Sequence, residues 1–262
     1  MSDSAPLNPS SLSMTEIPIF ATNVSWGISD PERFARLMEE ARSLVTPGFY
    51  LGDNFFTWCR NNSLFSDEAF VKAWQSNITN AADHAIAWRR YVLACAAFHC
   101  VQLDGDFVEC GVYIGTGIKT VMDYLGGTSF PANFWGYDTY DYNPVEGHAF
   151  EGQQEGMYER VQERFREYEQ VRLIKGLIPD SFAQGAPEKI SYLHIDLNNA
   201  KGELAVLDYL FDRVVPGGII VLDDYEWPGA YRPQKAAEDP WFEDRVYKVM
   251  PLPTGQGLVF KR

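Results

Sequence analysis

Residues 106–117 read Asp-Phe-Val-Glu-Cys-Gly-Val-Tyr-Ile-Gly-Thr-Gly, an apolar run with one interior acid that leads into three glycines. This order is typical of a buried strand that turns tightly into a helix. Glycines let the turn adopt positive φ and remove side chains that would keep a ligand away, while the following helix offers unpaired N–H groups. The spacing is GxxxGxG rather than the GxGxxG of dinucleotide sites, so this stretch predicts a ligand-binding turn but counts against a nicotinamide cofactor.

Downstream of this turn, short apolar strands alternate with amphipathic helices, which is the pattern of a parallel sheet covered on both faces. Five strands are predicted at 107–111, 134–138, 171–175, 190–197 and 218–223, and two more at 245–250 and 257–261. The clearest helix is predicted over 153–168, where Met157, Val161, Phe165 and Tyr168 share one face. We therefore predict an α/β domain with a mostly parallel sheet of about seven strands over residues 106–262.

The sequence before this domain divides into two parts. Residues 1–29 contain many Ser, Pro and Asn and predict a mobile tail. Residues 30–105 predict a helical extension, because Asp30-Pro31-Glu32 has the pattern of a helix start and 81–101 is rich in Ala, Leu and aromatic residues. We expect the extension to pack against the main domain, and a lid over the ligand is the alternative. The side chains that could serve such a lid are Trp58, Trp74, Arg89 and Arg90.

Composition and charge narrow the class of protein. Hydrophobic residues make up 46% and charged residues 22% of the 262 residues, which is ordinary globular usage. A net charge of -14 repels phosphate backbones, so we expect no nucleic-acid partner. The four cysteines form no CxxC pair, the first residues lack a signal-peptide pattern, and no apolar run approaches the roughly 18 residues of a membrane span. A soluble cytoplasmic protein with reduced thiols, not bound to a membrane, is therefore predicted.

A carboxylate stands at the end of the second predicted strand of the domain. Asp138 follows the glycine turn by 27 residues, counted from Gly111. A carboxylate at this strand end can accept hydrogen bonds from the two hydroxyls of a ribose, or it can cap the next turn. Together with the glycine turn, it favours a nucleoside-binding site.

Three more acids follow the fourth and fifth strands, in His-Ile-Asp196-Leu-Asn-Asn and in Gly-Gly-Ile-Ile-Val-Leu-Asp223-Asp224-Tyr. If these strands pair in parallel, Asp196, Asp223 and Asp224 converge at the sheet edge where such folds bind ligands. Converging carboxylates repel one another unless a cation neutralises them or one is protonated. We predict a divalent ion, Mg²⁺ or Mn²⁺, which prefer oxygen ligands. The alternative is that these acids only cap loops and bind backbone amides.

Taken together, the run FVECGVYIGTG, Asp138, the HIDL segment and the run PGGIIVLDDY resemble class I S-adenosylmethionine-dependent methyltransferases. Within that class they are similar to the macrocin O-methyltransferase family, which acts on sugars of natural products, over about residues 80–240. The resemblance implies a Rossmann-like fold, a small-molecule hydroxyl acceptor, and Asp196, Asp223 and Asp224 as metal ligands. It implies that the cofactor lies against the following residues: Glu109, Gly111, Tyr113, Gly115, Thr116, Asp138 and Asp196.

The base that accepts the hydroxyl proton is less well defined. The family leads us to expect an acid two residues after the first metal ligand, but this chain has Asn198 there, and an amide cannot take a proton. His148 and His194 are candidates because an imidazole accepts a proton near neutral pH, and Asp196 is a further one. His194 is alternatively a core histidine. The metal would bind the acceptor oxygen and lower its pKa.

Other functions stay open at this point. A catechol-type methyltransferase would use the same acids with a flatter, aromatic-lined pocket. A non-catalytic protein that binds S-adenosylmethionine would explain the missing acid at Asn198, and a nicotinamide dehydrogenase is a weaker rival. We also expect a homodimer formed through the aromatic-rich helices before Asp106.

Overall fold

The computed structural model describes residues 17–45, 48–140 and 156–262. Within these ranges the helices are α1 (Pro31–Leu44), α2 (Glu68–Asn77), α3 (Ala81–Ala85), α4 (Ala87–Cys100), α5 (Thr116–Tyr124), α6 (Met157–Arg164), α7 (Ala200–Leu210) and α8 (Arg232–Glu243). The strands are β1 (Phe20–Ala21), β2 (Tyr50–Gly52), β3 (Phe55–Thr57), β4 (Asp106–Cys110), β5 (Phe134–Asp138), β6 (Val171–Lys175), β7 (Ile190–Ile195), β8 (Val214–Leu222), β9 (Met250–Pro251) and β10 (Gly257–Phe260).

Seven strands form one sheet in the order β6-β5-β4-β7-β8-β10-β9. The five strands from β6 to β8 in this order are parallel, and β10 and β9 are antiparallel to their neighbours. The predicted α/β class and mostly parallel sheet are therefore confirmed. β5 and β6 lie in turn on one side of β4, and the chain then crosses back so that β7 pairs with the other side of β4. Open α/β sheets bind ligands at such a reversal of strand order.

The sheet separates two apolar cores, because neighbouring side chains of a strand point to opposite faces. Val108 packs in the core that includes Leu207 of α7 and Phe242 of α8. Its neighbour Phe107 packs in the other core, with Ile118 of α5 and Leu93 of α4. Helices thus cover both faces of the parallel strands, as the alternating sequence pattern predicts.

The region before β4 holds helices α1 to α4 and a small three-stranded sheet of β1, β2 and β3, which the sequence analysis did not predict. The helix predicted over 81–101 is divided at Ile86, whose φ of -111° and ψ of 42° are not helical. Helix α4 joins this region to the sheet, because Ala94 packs in a core with Phe70 and Trp74 while Leu93 packs on the sheet. In the described ranges, no helix is both long enough and apolar enough to cross a membrane.

Candidate active site

The glycine turn follows β4 at the reversal point of the sheet. Gly111 has φ +94°, and a β-carbon there would lie 1.8 Å from the carbonyl oxygen of Asp196, which follows β7. Gly115 has φ +81° and caps α5, and the ring of Phe165 lies where its β-carbon would point, at 2.5 Å. Only glycine lets the backbone turn here while β7 and α6 approach so closely.

Asp138, at the end of β5, holds this turn in place. Its Oδ2 atom accepts hydrogen bonds from the backbone N–H groups of Val112, at 2.8 Å, and Tyr113, at 2.7 Å. Its Oδ1 atom accepts one from the Tyr140 N–H group, at 2.7 Å. Burial raises the pKa of Asp138, and these three donors oppose the shift. Asp138 therefore fixes the turn and also caps the chain after β5, while its contact with a ribose stays a prediction.

The strand-end acids meet because β7 and β8 pair in parallel, with Ile195 opposite Leu222. Asp196 and Asp223 follow these two residues directly, and donor atoms of Asp196, Asp223 and His194 all lie within 4.8 Å of one another. The Asp196 side chain accepts no hydrogen bond from the described residues, and its pKa is raised well above the ordinary value by burial and by Asp223 and Asp224. Asp196 is thus a carboxylate that binds protons readily.

An arginine lies between the two acids that follow β8. Nη2 of Arg89, from α4, contacts a carboxylate oxygen of Asp223, donates to the Asp223 carbonyl oxygen at 2.6 Å, and donates to Asp224 Oδ1 at 2.8 Å. The three side chains are 9%, 10% and 11% exposed. Burial alone would lower the pKa of Arg89, but Asp223 and Asp224 outweigh it and raise the pKa. A buried guanidinium therefore neutralises these acids, a solution that the sequence analysis did not consider.

His194 lies on the other side of Asp223. Its Nδ1 atom is 2.9 Å from Glu109 Oε2 and its Nε2 atom is 3.3 Å from Asp223 Oδ1, and the side chain is 1% exposed. Burial alone would lower the pKa of His194, but the two carboxylates outweigh it and raise the pKa to about 10. At neutral pH the ring is already protonated, so this geometry does not suit the base predicted at His194.

These contacts join five buried side chains of alternating charge, which we call the buried ion chain: Glu109, His194, Asp223, Arg89 and Asp224. Gln256 of the loop before β10 adds a hydrogen bond from Nε2 to Asp223 Oδ1, at 2.8 Å. Both carboxylate oxygens of Asp223 are therefore committed to protein donors.

The predicted Mg²⁺ or Mn²⁺ site can be tested against this arrangement. Of its three ligands, Asp223 is bound through both oxygens, Asp224 binds Arg89, and only Asp196 is uncommitted. His194, the further possible ligand nearby, already contacts Glu109 through Nδ1 and Asp223 through Nε2. Because a metal ion needs several free lone pairs in a defined geometry, the predicted ligand set does not fit a divalent ion as these side chains stand.

Two further predicted residues have different outcomes. His148 falls in 141–155, outside the described residues, so its role as a base stays a prediction. Asn198, where the family pattern has an acid, has φ +59° in the loop between β7 and α7.

Aromatic rings from two distant segments flank the buried ion chain. The Trp227 ring centre lies 5.6 Å from Arg89 Cζ, and the Tyr231 and Trp26 ring centres are 6.4 Å and 5.7 Å from that of Trp227. Asn54 fixes Trp26 with two hydrogen bonds to its backbone, at 2.8 and 3.0 Å. Sequence reasoning missed this group, since 201 residues separate Trp26 from Trp227.

Known proteins resemble this chain in both fold and sequence. The solved structure of the O-methyltransferase NovP superposes with a TM-score of 0.55 at 20% identity, covering 66% of this chain and 79% of that one, which shows a shared fold. The mycinamicin III 3''-O-methyltransferase of Micromonospora griseorubida is 27% identical over 152 residues, covering 48% of this chain and 60% of the relative.

A second relative, from Streptomyces olivaceus, is the 8-demethyl-8-(2,3-dimethoxy-alpha-L-rhamnosyl)-tetracenomycin-C 4'-O-methyltransferase, 25% identical over 152 residues, covering 48% of this chain and 58% of the relative. The chain thus spans about 60% of the length of these relatives. The model of the macrocin-O-methyltransferase (TylF) family matches residues 92–239, which include the glycine turn, Asp138, the strand-end acids and Trp227. On this match over more than half of its length, the chain belongs to the macrocin-O-methyltransferase family.

Proposed function

We propose that this protein transfers a methyl group from S-adenosylmethionine to a hydroxyl group on the sugar of a natural product. The observation that carries the proposal is the meeting of the glycine turn and the strand-end acids at the reversal point of the sheet, where Gly111 contacts the Asp196 backbone. Family membership supports the same chemistry, and one relative's name specifies a dimethoxy-rhamnosyl group.

The cofactor would lie along the glycine turn, between Glu109 and Asp138. Glu109 binds His194 through Oε2, which leaves Oε1 for the ammonium group of the methionine part. The ribose hydroxyls would share the Asp138 carboxylate with the three backbone N–H groups and the Thr139 side chain that it already binds. Gly111, Tyr113, Gly115 and Thr116 would line the turn itself, where the absence of β-carbons at the glycines lets the ligand approach.

Asp196 is the side chain that we propose as the base. In an in-line displacement the acceptor oxygen forms the new C–O bond as the C–S bond breaks, and the products are an ether and S-adenosylhomocysteine. Positioning dominates such a reaction. The hydroxyl proton passes to the uncommitted carboxylate of Asp196, whose raised pKa makes it a better proton acceptor than an ordinary aspartate. Asn198 cannot fill this role, and His194 is already protonated.

The aromatic group of Trp26, Trp227 and Tyr231 supports a sugar as the acceptor. Aromatic rings provide apolar faces against which the C–H faces of a sugar can pack, while nearby carboxylates accept hydrogen bonds from its hydroxyls. The Trp227 ring lies beside Arg89 and therefore beside the proposed reaction site, and Trp26 and Tyr231 pack against Trp227. The divalent ion implied by the family is not used in this mechanism, because two of its three predicted ligands are committed. Asp224 binds Arg89, and Asp223 contacts Arg89, His194 and Gln256.

A methyl-transfer assay tests the proposal. The purified protein is incubated with S-adenosylmethionine labelled in its methyl group and with two acceptor panels, one of rhamnosyl natural products and one of catechols. We expect label in the sugar of at least one glycoside and none in the catechols. Label in the catechols alone would favour the catechol-type alternative. Cofactor binding without transfer to any acceptor would favour a non-catalytic protein.

A further inference from the structure

The buried ion chain contains a positive charge at the place where a divalent ion was predicted. Arg89 Nη2 contacts both Asp223 and Asp224, and it also donates to the Asp223 main-chain carbonyl at 2.6 Å. Within the described residues, the charges of these two acids therefore have a partner that belongs to the protein.

From this we infer that Arg89 takes the place of the divalent ion, so that this member of the family transfers methyl groups without a metal. The part of the inference that concerns methyl transfer rests on the proposed function. The part that concerns structure, that the acids bind no metal while Arg89 is present, is independent of it. Arg89 is a positioning residue in this account, because it acts by fixing Asp223 and Asp224 and leaves Asp196 as the uncommitted acid.

The contacts around Arg89 indicate that it stays between Asp223 and Asp224. The backbone N–H groups of Trp88 and Arg89 donate to the carboxylate of Asp53, at 3.0 and 2.8 Å, so the turn between β2 and β3 caps the first turn of α4. The Trp227 ring, 5.6 Å from Arg89 Cζ, lies against the guanidinium. The helix start that carries Arg89 is thus fixed, and the guanidinium cannot leave the acids without losing its contact with the Trp227 ring.

The charge balance gives the same result. Along the buried ion chain, His194 and Arg89 alternate with the three acids, so each acid has at least one basic neighbour. A divalent ion bound to Asp223 and Asp224 would lie beside the Arg89 guanidinium, and like charges that close repel strongly when they are buried. The ion can therefore enter only if Arg89 leaves.

Removing the guanidinium should create the metal site that is closed in the natural protein. In Arg89→Met the acids of Asp196, Asp223 and Asp224 lose their internal cation, and three carboxylates with free oxygens suit Mn²⁺. Arg89→Lys keeps a positive charge and should keep the site closed. Arg245→Met serves as the matched control, because Arg245 carries the same charge but lies on the surface against Trp241.

The experiment measures Mn²⁺ binding by electron paramagnetic resonance on these four proteins, and methyl transfer by the wild type with and without EDTA. We expect no Mn²⁺ site tighter than about 1 mM in the wild type, Arg89→Lys or Arg245→Met, and one tighter site in Arg89→Met. We expect EDTA to change wild-type turnover by less than about twofold, whereas loss of an essential metal would abolish turnover.

A stoichiometric Mn²⁺ site in the wild type, or turnover that EDTA abolishes and Mg²⁺ restores, would overturn the inference. A folded Arg89→Met protein that binds no Mn²⁺ would overturn it as well. If Arg89→Met does not fold, Mn²⁺ binding by the wild type and the effect of EDTA on its turnover still test the inference. If the wild type transfers no methyl group to any acceptor, the proposed function fails, while the Mn²⁺ measurements continue to test the role of Arg89.

Discussion

Replacing Gly111 with alanine tests whether close backbone packing between the glycine turn and β7 builds the site. The new β-carbon would lie 1.8 Å from the carbonyl oxygen of Asp196 and 2.6 Å from its carbonyl carbon. Neither backbone can move away alone. The Asp196 N–H group donates to the Cys110 carbonyl, and the Gly111 N–H group donates to the Tyr137 carbonyl, both at 2.8 Å.

The expected loss of stability has two parts. A side chain at a left-handed position such as φ +94° costs about 1–2 kcal/mol. Overpacking against a fixed neighbour adds about 1–3 kcal/mol. The free energy of unfolding should therefore fall by about 2–5 kcal/mol, which lowers the melting temperature of a chain of this size by about 4–20 °C.

Gly229→Ala is the matched control for this substitution. Gly229 also has positive φ, +69°, but a β-carbon there meets no atom within 4 Å, so only the conformational cost of about 1–2 kcal/mol applies. Both variants are compared with the wild type by thermal and urea unfolding followed by circular dichroism. Equal losses in the two variants would refute the reasoning, because the contact with Asp196 would then contribute nothing.

Three further predictions concern acids of the site and its surroundings. Asp196→Asn should lower methyl transfer by about 100-fold or more at saturating cofactor, as expected for loss of a general base; a decrease of less than tenfold in a labelled-methyl assay would exclude Asp196. Asp138→Ala leaves the N–H groups of Val112, Tyr113 and Tyr140 without their acceptor. It should weaken binding of S-adenosylmethionine, measured by calorimetry, by about tenfold or more. Unchanged affinity would contradict the role of Asp138 in the turn. Burial raises the pKa of Glu238 to about 7 from 4.5, with Asp239 and Asp224 adding to the shift and Glu203 and Lys235 opposing it. The fold therefore favours the protonated acid, and the stability that this contributes is present below about pH 4.5 and is lost as the pH rises through about 7. Glu238→Gln is neutral at every pH and should be more stable than the wild type at pH 8 by up to about 3 kcal/mol, with no gain at pH 4; urea unfolding at both pH values that shows no such difference would contradict the shift.

The strands of the parallel sheet could be predicted from the sequence because they are short, mainly apolar runs bounded by turns. β5 and β6 have the bounds predicted for them, Phe134–Asp138 and Val171–Lys175. β8 begins at Val214, four residues before the prediction, because Pro216 and Gly217 have the composition of a turn although the chain stays extended through them.

Contacts between distant residues could not be predicted in the same way. That the strand-end acids meet followed from parallel pairing, a general property of such sheets. That Arg89 lies between Asp223 and Asp224 depends on how α4 crosses the sheet, and 134 residues separate the partners. The pair of arginines in the apolar helix start Ala-Trp-Arg-Arg-Tyr was the available signal, since a buried arginine needs acidic partners. The strands of β1 to β3 are two or three residues long, too short to show a period.

The most direct test of the account is a calorimetric titration of the wild-type protein with S-adenosylmethionine, with NAD titrated under the same conditions. A turn built by Gly111, Gly115 and Asp138 to hold an adenosyl sulfonium predicts saturable binding of one S-adenosylmethionine per chain and no heat with NAD. Absence of binding, or saturable binding of NAD instead, would contradict the account.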